Sequence, residues 1–253
     1  MIGYEGHGRV AVVTLRRPEA RNAVNFEVAT GIESALDRLE QDDEIWAGVI
    51  AAEGSVFCAG ADLKVVAGGE MDLLFTRRGG FAGITRRLRT KPLIAAVDGP
   101  ALAGGFEMVL ACDLIVASRS ASFGLPEVKR SLVAGAGGLF RLPRALPPRV
   151  AMEVVLTGEP ISAERAHQLG LVNQLVETGQ ARDAAVALAG RICANAPLAV
   201  RESREIVLAA SSGDDETLWR RSAQALATVM ASEDFAEGPR AFIEKRSPEW
   251  KGR

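Results

Sequence analysis

The sequence predicts an α/β fold, a core of strands alternating with helices, followed by an all-helical C-terminal region. Short apolar, β-branched runs alternate with segments whose apolar residues recur at helical spacing. The handovers between them are glycine-bearing loops, and beyond Glu177 nearly every residue falls into a helical pattern.

Val10 to Leu15 reads as a β-branched strand. The stretch RPEARNAV then supplies a turn, and Val24 to Leu39 carries apolar residues at helical period. Ala47 to Ala52 is the next strand; it runs into the loop EGSVFCAGADLK and an Arg-dotted stretch through Arg89 that reads as helical and partly mobile. Leu93 to Val97 is a third buried strand, leading through DGPALAGG into the apolar helix Phe106 to Ala111, and Asp113 to Ala117 begins another strand. After several short helices, LTGEPISAERAHQLGLVNQLV reads as a helix between two extended pieces. Ala181 to Ala194, Leu198 to Ala210 and Glu216 to Ser232 are the C-terminal helices. Repeated strand–turn–helix units imply a mostly parallel, right-handed core whose ligand site forms where strands hand over to helices.

The 253 residues, 48% hydrophobic and 25% charged, support one main core with an appendage. A net charge of −2 without long runs of like charge gives no electrostatic footprint for nucleic acid. Cys58, Cys112 and Cys193 are odd in number and lie in apolar segments, as reduced thiols in a cytoplasmic protein would. His7 and His167 lack nearby ligand partners, so no metal site is expected. His167 reads as a surface residue. The start MIGYEGHGRV has neither a basic nor an apolar leader region, and no apolar run reaches the ~20 residues that cross a bilayer, so a soluble chain with no membrane partner is expected.

Two loops carry chemistry. In FCAGADLK, residues 57 to 64, Gly60 frees the backbone and the following residues open a helix. In ALAGGFE, residues 101 to 107, Gly104 and Gly105 directly precede an apolar helix, so unpaired first-turn N–H groups face one point where an anion or a developing oxyanion belongs. Taken singly, each reads first as a plain strand-to-helix turn, and it is the presence of two in one chain that points to function. Glu107 lies in the first turn of that apolar helix, where an isolated carboxylate is costly unless it only serves the helix dipole. Glu127 follows GLP and taken alone reads as a solvated charge. Two carboxylates in one apolar pocket cannot both ionise cheaply, so one pKa should rise and leave an acid beside a base. The cluster AGAGG at 134 to 138 could close the pocket against Glu127. Asp62 and Asp113 read as cap and turn residues. Nucleotide-fold, serine-hydrolase and zinc-protease motifs are absent.

In this order, FCAGADLK, VDGPALAGGFEMVLACD, ASFGLPEVKRSLVAGAGG and AFIEKR resemble the crotonase, or enoyl-CoA hydratase/isomerase, family, from about Val10 to Arg246. The resemblance implies a crotonase-type ββα spiral core over 1–195 and a C-terminal helical trimerisation region over 196–253, assembled as a homotrimer or a hexamer of paired trimers. It implies addition of water across the 2,3-double bond of an acyl-CoA, with no cofactor beyond the coenzyme A carried by the substrate. The backbone N–H groups of Ala61 and Gly104 match the oxyanion hole, Glu107 the residue that activates water, and Glu127 the one that gives a proton to the carbon beside the carbonyl. Ala20, Arg21, Ala59 and Lys64 match positions lining coenzyme A, and Phe242 and Lys245 a pair that reaches it from a neighbouring subunit.

Departures fall at Glu19, where a basic residue often meets the coenzyme A phosphates, and at Ala103 and Phe106, expected to reshape the acyl pocket. Several stretches are especially similar to the carnitinyl-CoA dehydratase (crotonobetainyl-CoA hydratase) branch, although few aromatic residues near the loops argue against a cage for a quaternary ammonium. A double-bond isomerase of the same fold, and a non-catalytic acyl-CoA binder, are the competing readings.

Overall fold

The computed structural model describes residues 1–253. Its strands are β1 (Ile2–His7), β2 (Val10–Leu15), β3 (Ala47–Ala52), β4 (Phe75–Thr76), β5 (Gly80–Phe81), β6 (Leu93–Val97), β7 (Ala101–Leu102), β8 (Leu114–Ser118), β9 (Ser122–Gly124), β10 (Ile161–Ser162) and β11 (Gln174–Val176). Its helices are α1 (Phe26–Gln41), α2 (Leu63–Ala67), α3 (Gly104–Leu110), α4 (Gly138–Ala145), α5 (Pro148–Thr157), α6 (Ala163–Gln168), α7 (Ala181–Cys193), α8 (Pro197–Ala209), α9 (Asp215–Met230) and α10 (Glu233–Glu244).

The main sheet has the order β1-β2-β3-β6-β8-β11, parallel from β2 onward. Its strands read as continuous apolar runs because both faces are covered. On one face Ala181, Ala185 and Ala189 of α7, spaced four apart, lie against Val12, Val49, Ile94 and Val116. Their small side chains let the helix approach closely. On the other face α1 and α3 join a single cluster with Leu15, Ile50, Leu93 and Phe123. β1 was not legible: IGYEGH has two glycines and only one buried position, and it forms as an edge strand because β2 supplies an antiparallel partner from Ile2↔Leu15 to His7↔Val10.

The stretch through Arg89 departs from the helical expectation. α2 stops at Gly68, a 3₁₀ turn follows at Met71–Leu74, and β4 and β5 make a two-residue hairpin. Glycines prevent a longer helix there. Gly80 and Gly83 sit at φ +68° and +70°, and a Cβ on Gly83 would stand 2.4 Å from the Ala29 carbonyl oxygen.

α8, α9 and α10 pack on one another after the sheet is complete. α8 is fastened to the core by Arg204, which pairs with Asp113 at 2.8 Å and donates to the Arg89 carbonyl at 2.6 Å. Asp113 is therefore more than a turn residue: it also pairs with Arg89 at 3.1 Å and accepts from the Leu93 N–H. No single helix is long and apolar enough to cross a membrane.

Candidate active site

Three chain segments run side by side in the same direction and end at one place. β7 and β9 are parallel neighbours, Leu102 opposite Gly124, and a parallel bridge joins Cys58 to Ala101. The first chemistry-bearing loop thus lies against β7, which runs into α3 and Glu107. On its other side β9 runs into the 3₁₀ turn Pro126–Arg130 that carries Glu127.

The glycines are required by this closeness. Gly60 has φ +95°, and a Cβ there would lie 2.8 Å from the Ala103 Cβ and 3.2 Å from the Gly104 nitrogen. A Cβ on Gly105 would lie 2.2 Å from the Cys58 carbonyl oxygen. Ala103 itself is forced to φ 52° and ψ −130°, a region that a residue with a Cβ rarely occupies. The N–H groups of Ala61 and Gly104 donate to no acceptor in the chain. Their two loops meet at Gly60 and Ala103, so both donors belong to one wall of the site.

Glu107 is 3% exposed. Its Oε1 accepts from the Ala136 N–H at 2.7 Å and the Gly138 N–H at 2.9 Å. Burial pushes its carboxyl above the ordinary carboxylate range, opposed by those two N–H groups and by the Arg141 charge. The cluster at 134–138 therefore closes on Glu107, not on Glu127 as the sequence suggested. A Cβ on Gly138 would stand 3.1 Å from the Glu107 Cγ, so any larger residue there presses on the carboxylate this turn holds.

Glu127 is buried without such a grip. Its Oε2 is buried without a hydrogen-bond partner, and burial with the nearby Glu107 charge raises its carboxyl to about 7. The two carboxylates are thus brought together in one partly dehydrated place and held differently.

Backbone pairing also gathers the residues matched to coenzyme A contacts at the N-terminal rim. Ala59 donates to the Arg21 carbonyl at 3.1 Å, Val24 donates to Gly60, and Asp62 donates to Val24. Lys64 is exposed in the first turn of α2, which Asp62 caps through the Lys64 N–H. Asp62 also pairs with Arg17 at 2.7 Å, a structural role in keeping with its reading as a cap. Asn22, which the sequence reading passed over, is fully buried and stitches this rim: its amide donates to the Glu53 and Val56 carbonyls, both at 2.8 Å, and its Oδ1 accepts from Arg17 N–H. An Asn four residues after a proline turn is the only sequence signal for it.

Phe242 and Lys245 are exposed on and just after α10, which packs on α9, and no hydrogen bond or ion pair joins them to the loop cluster within one chain. Phe106 is fully buried and packs on Phe123 with ring centroids 5.3 Å apart, so its ring is part of the core beneath α3. His167 is exposed, its Nδ1 2.8 Å from the Val172 carbonyl. The three cysteines are unpaired, and burial raises their thiols, Cys58 and Cys112 to about 12 and Cys193 to about 11, which favours the neutral thiol over the thiolate. No three His, Cys, Asp or Glu side chains converge as a metal-binding group.

The enoyl-CoA hydratase/isomerase family model matches residues 5–253. A carnitinyl-CoA dehydratase from Salmonella paratyphi A is 41% identical over 98% of this chain and 97% of its own length. Among solved structures, an enoyl-CoA hydratase from Mycobacterium tuberculosis H37Rv superposes with a TM-score of 0.95 at 48% identity, covering 100% of this chain and 99% of that one. A carnitinyl-CoA hydratase from Mycobacterium avium gives 0.79 at 49% identity, covering 100% and 98%.

Proposed function

The chain belongs to the enoyl-CoA hydratase/isomerase family, and from that membership we propose that it is a hydro-lyase adding water across the 2,3-double bond of an acyl-CoA, with Glu107 as base, Glu127 as acid, and the Ala61 and Gly104 N–H groups as oxyanion donors. The observation that carries the division of labour is the unequal treatment of the two carboxylates. Glu107 has two N–H donors on one oxygen, which favour its ionised form relative to Glu127, whose Oε2 has none.

A thioester carbonyl placed against the two free N–H groups has its oxygen polarised, and enolate charge developing there is stabilised by several kcal/mol. Glu107 takes a proton from water as the hydroxyl bonds to C3. The electron pair of the double bond moves onto the thioester oxygen, and protonated Glu127 then delivers its proton to C2. One water is consumed, and the product is a 3-hydroxyacyl-CoA. Before the next turnover Glu107 returns its proton to solvent and Glu127 regains one.

Ala20, Arg21, Ala59 and Lys64 would line the coenzyme A arm, with Arg21 and Lys64 as the cations at the rim and Glu19 exposed beside them. Phe242 and Lys245 would join them from a neighbouring subunit, residues 196–253 forming the helical region through which a trimer or hexamer assembles. No separate cofactor has a role in this scheme, and a cytoplasmic location goes with it.

The carnitinyl-CoA-directed relatives favour one second reading, the same reaction on an acyl chain bearing a quaternary ammonium. Purified protein incubated with crotonoyl-CoA, longer enoyl-CoA thioesters and crotonobetainyl-CoA should lose conjugated absorbance and gain one water by mass. Binding without turnover on every thioester would leave the non-catalytic binder, which the two unlike carboxylates otherwise disfavour.

A further inference from the structure

Glu107 owes its two N–H partners to a turn that is itself held from behind. Arg141 lies in α4, one helical turn beyond Gly138. Its Nη1 donates to the Ala136 carbonyl at 3.2 Å and its Nη2 to the Thr85 carbonyl at 2.6 Å. Ala136 is therefore grasped at both ends, its N–H by Glu107 and its carbonyl by Arg141. Gly137 sits at φ +110°, and a Cβ there would stand 2.0 Å from the Arg141 Nη1, so the guanidinium occupies the volume that the missing side chain leaves. Thr85 follows the β4–β5 hairpin, whose Phe81 ring lies where a Cβ on Gly104 would be, 2.4 Å away. Through its two carbonyl contacts Arg141 thus ties the wall behind Gly104 to the turn that grips Glu107. No carboxylate lies within ion-pair distance of Arg141, and Glu107 is the acid on which its charge chiefly acts.

We propose that Arg141 is a positioning residue for the hydration reaction: its fork across the Ala136 and Thr85 carbonyls keeps the Ala136 and Gly138 N–H groups on Glu107 and sets a positive charge behind the turn that grips it. The proposal rests on the roles given above to Glu107 and Glu127. Other charged or titratable groups face this pair. Arg130 stands near Glu127, Arg89, Arg144 and Cys112 surround Arg141, and the Glu107 charge opposes the ionisation of Glu127. Arg89 is committed to Asp113, and both Arg141 and Arg144 lie over the Phe140 ring. Only Arg141 joins a positive charge to the turn that holds Glu107.

The test is the pH dependence of kcat for hydration of crotonoyl-CoA in the intact assembly, comparing wild type, Arg141→Gln, Arg141→Lys and Glu107→Gln. Removing the charge raises the Glu107 pKa, so the acid limb in Arg141→Gln should move up by ~1 pH unit. With it kcat should fall ~10- to 100-fold while KM changes less than ~3-fold, as expected for an orienting contact. Arg141→Lys keeps the charge and loses the fork: its acid limb should stay in place with kcat reduced several-fold. A Gln variant with an unmoved acid limb and near-normal kcat overturns the proposal. Should that variant fail to fold, a Lys variant with full wild-type kcat overturns it equally. Full activity in Glu107→Gln would instead overturn the role of Glu107 on which the proposal stands, so the two failures are distinguishable.

Discussion

Replacing Glu127 by Gln should make the protein more stable and less active, with both effects governed by pH. The carboxyl is pushed from an ordinary 4.5 to about 7 by burial and by the Glu107 charge. A carboxyl whose folded pKa is raised binds more protons in the native state than in the unfolded chain between those values. Stability therefore falls as pH rises from about 4.5 through about 7, and the full cost is present above that window. At ~1.4 kcal/mol per pH unit the ceiling is on the order of 3 kcal/mol, and screening by solvent at this partly exposed group reduces it to ~1–2 kcal/mol. Glutamine keeps the shape and removes the charge. Glu127→Gln should thus gain ~1–2 kcal/mol at pH 8 and nothing near pH 4.5, read as a rise in Tm of roughly 2–8 °C at the higher pH only. In the same protein hydration of crotonoyl-CoA should fall ~10²- to 10⁴-fold, because the C2 proton has no donor. Wild-type hydration should itself decline above about pH 7, where Glu127 loses its proton. A variant that is less stable at pH 8, or that hydrates at the wild-type rate, would refute the assignment of Glu127 as a strained acid.

Three further outcomes follow from the packing. Gly60→Ala forces a left-handed residue to carry a Cβ that presses on Ala103 at 2.8 Å, so it should cost ~1–3 kcal/mol and lower kcat ~10- to 100-fold, checked by denaturant melts and steady-state kinetics. Ala103→Gly relieves a residue held at φ 52° and ψ −130°, and should stabilise the protein by ~1 kcal/mol with kcat retained; a loss of stability would show that the Ala103 Cβ contact outweighs the strain. Asp113→Ala leaves Arg89 and Arg204 without their shared carboxylate in a mostly buried place, and should cost ~3–5 kcal/mol with faster amide exchange in α8 than in the sheet.

The parts of the fold that were legible are those decided by burial alone. Val10–Leu15, Ala47–Ala52 and Leu93–Val97 appear at the residues the sequence indicated because strands covered on both faces must be apolar throughout. β1 and the β4–β5 hairpin were not legible because their existence depends on partners: IGYEGH needs β2 beside it, and the Arg-dotted stretch needs α1, whose Ala29 and Glu33 leave no room for a side chain at Gly83. The loops were visible as glycine signatures, but not the 2.8 Å approach that unites them. Phe106 was misjudged because its ring is taken up by Phe123 in the core, while Glu107, about 100° further round α3, reaches the 134–138 turn. Arg141 had no signal at all, since an Arg in an amphipathic helix reads as solvated until its two carbonyl acceptors are seen.

What separates hydration from isomerisation in this fold is the state of the second carboxylate. Shifting a double bond needs one group that takes a proton from one carbon and returns it to another, which a single carboxyl of raised pKa can do. Adding water needs a base for the water and an acid for the carbon at the same moment, so two carboxyls must be kept in opposite states. With the roles proposed for the two glutamates, position would meet that need: β7 and β9 bring both off adjacent parallel strands, and the 134–138 turn gives N–H donors to Glu107 alone. Had those donors fallen on Glu127, its ionised form would be favoured and the proposed acid would be lost. Their placement on Glu107 is what makes the pair asymmetric, and asymmetry of this sense is the requirement of a hydratase.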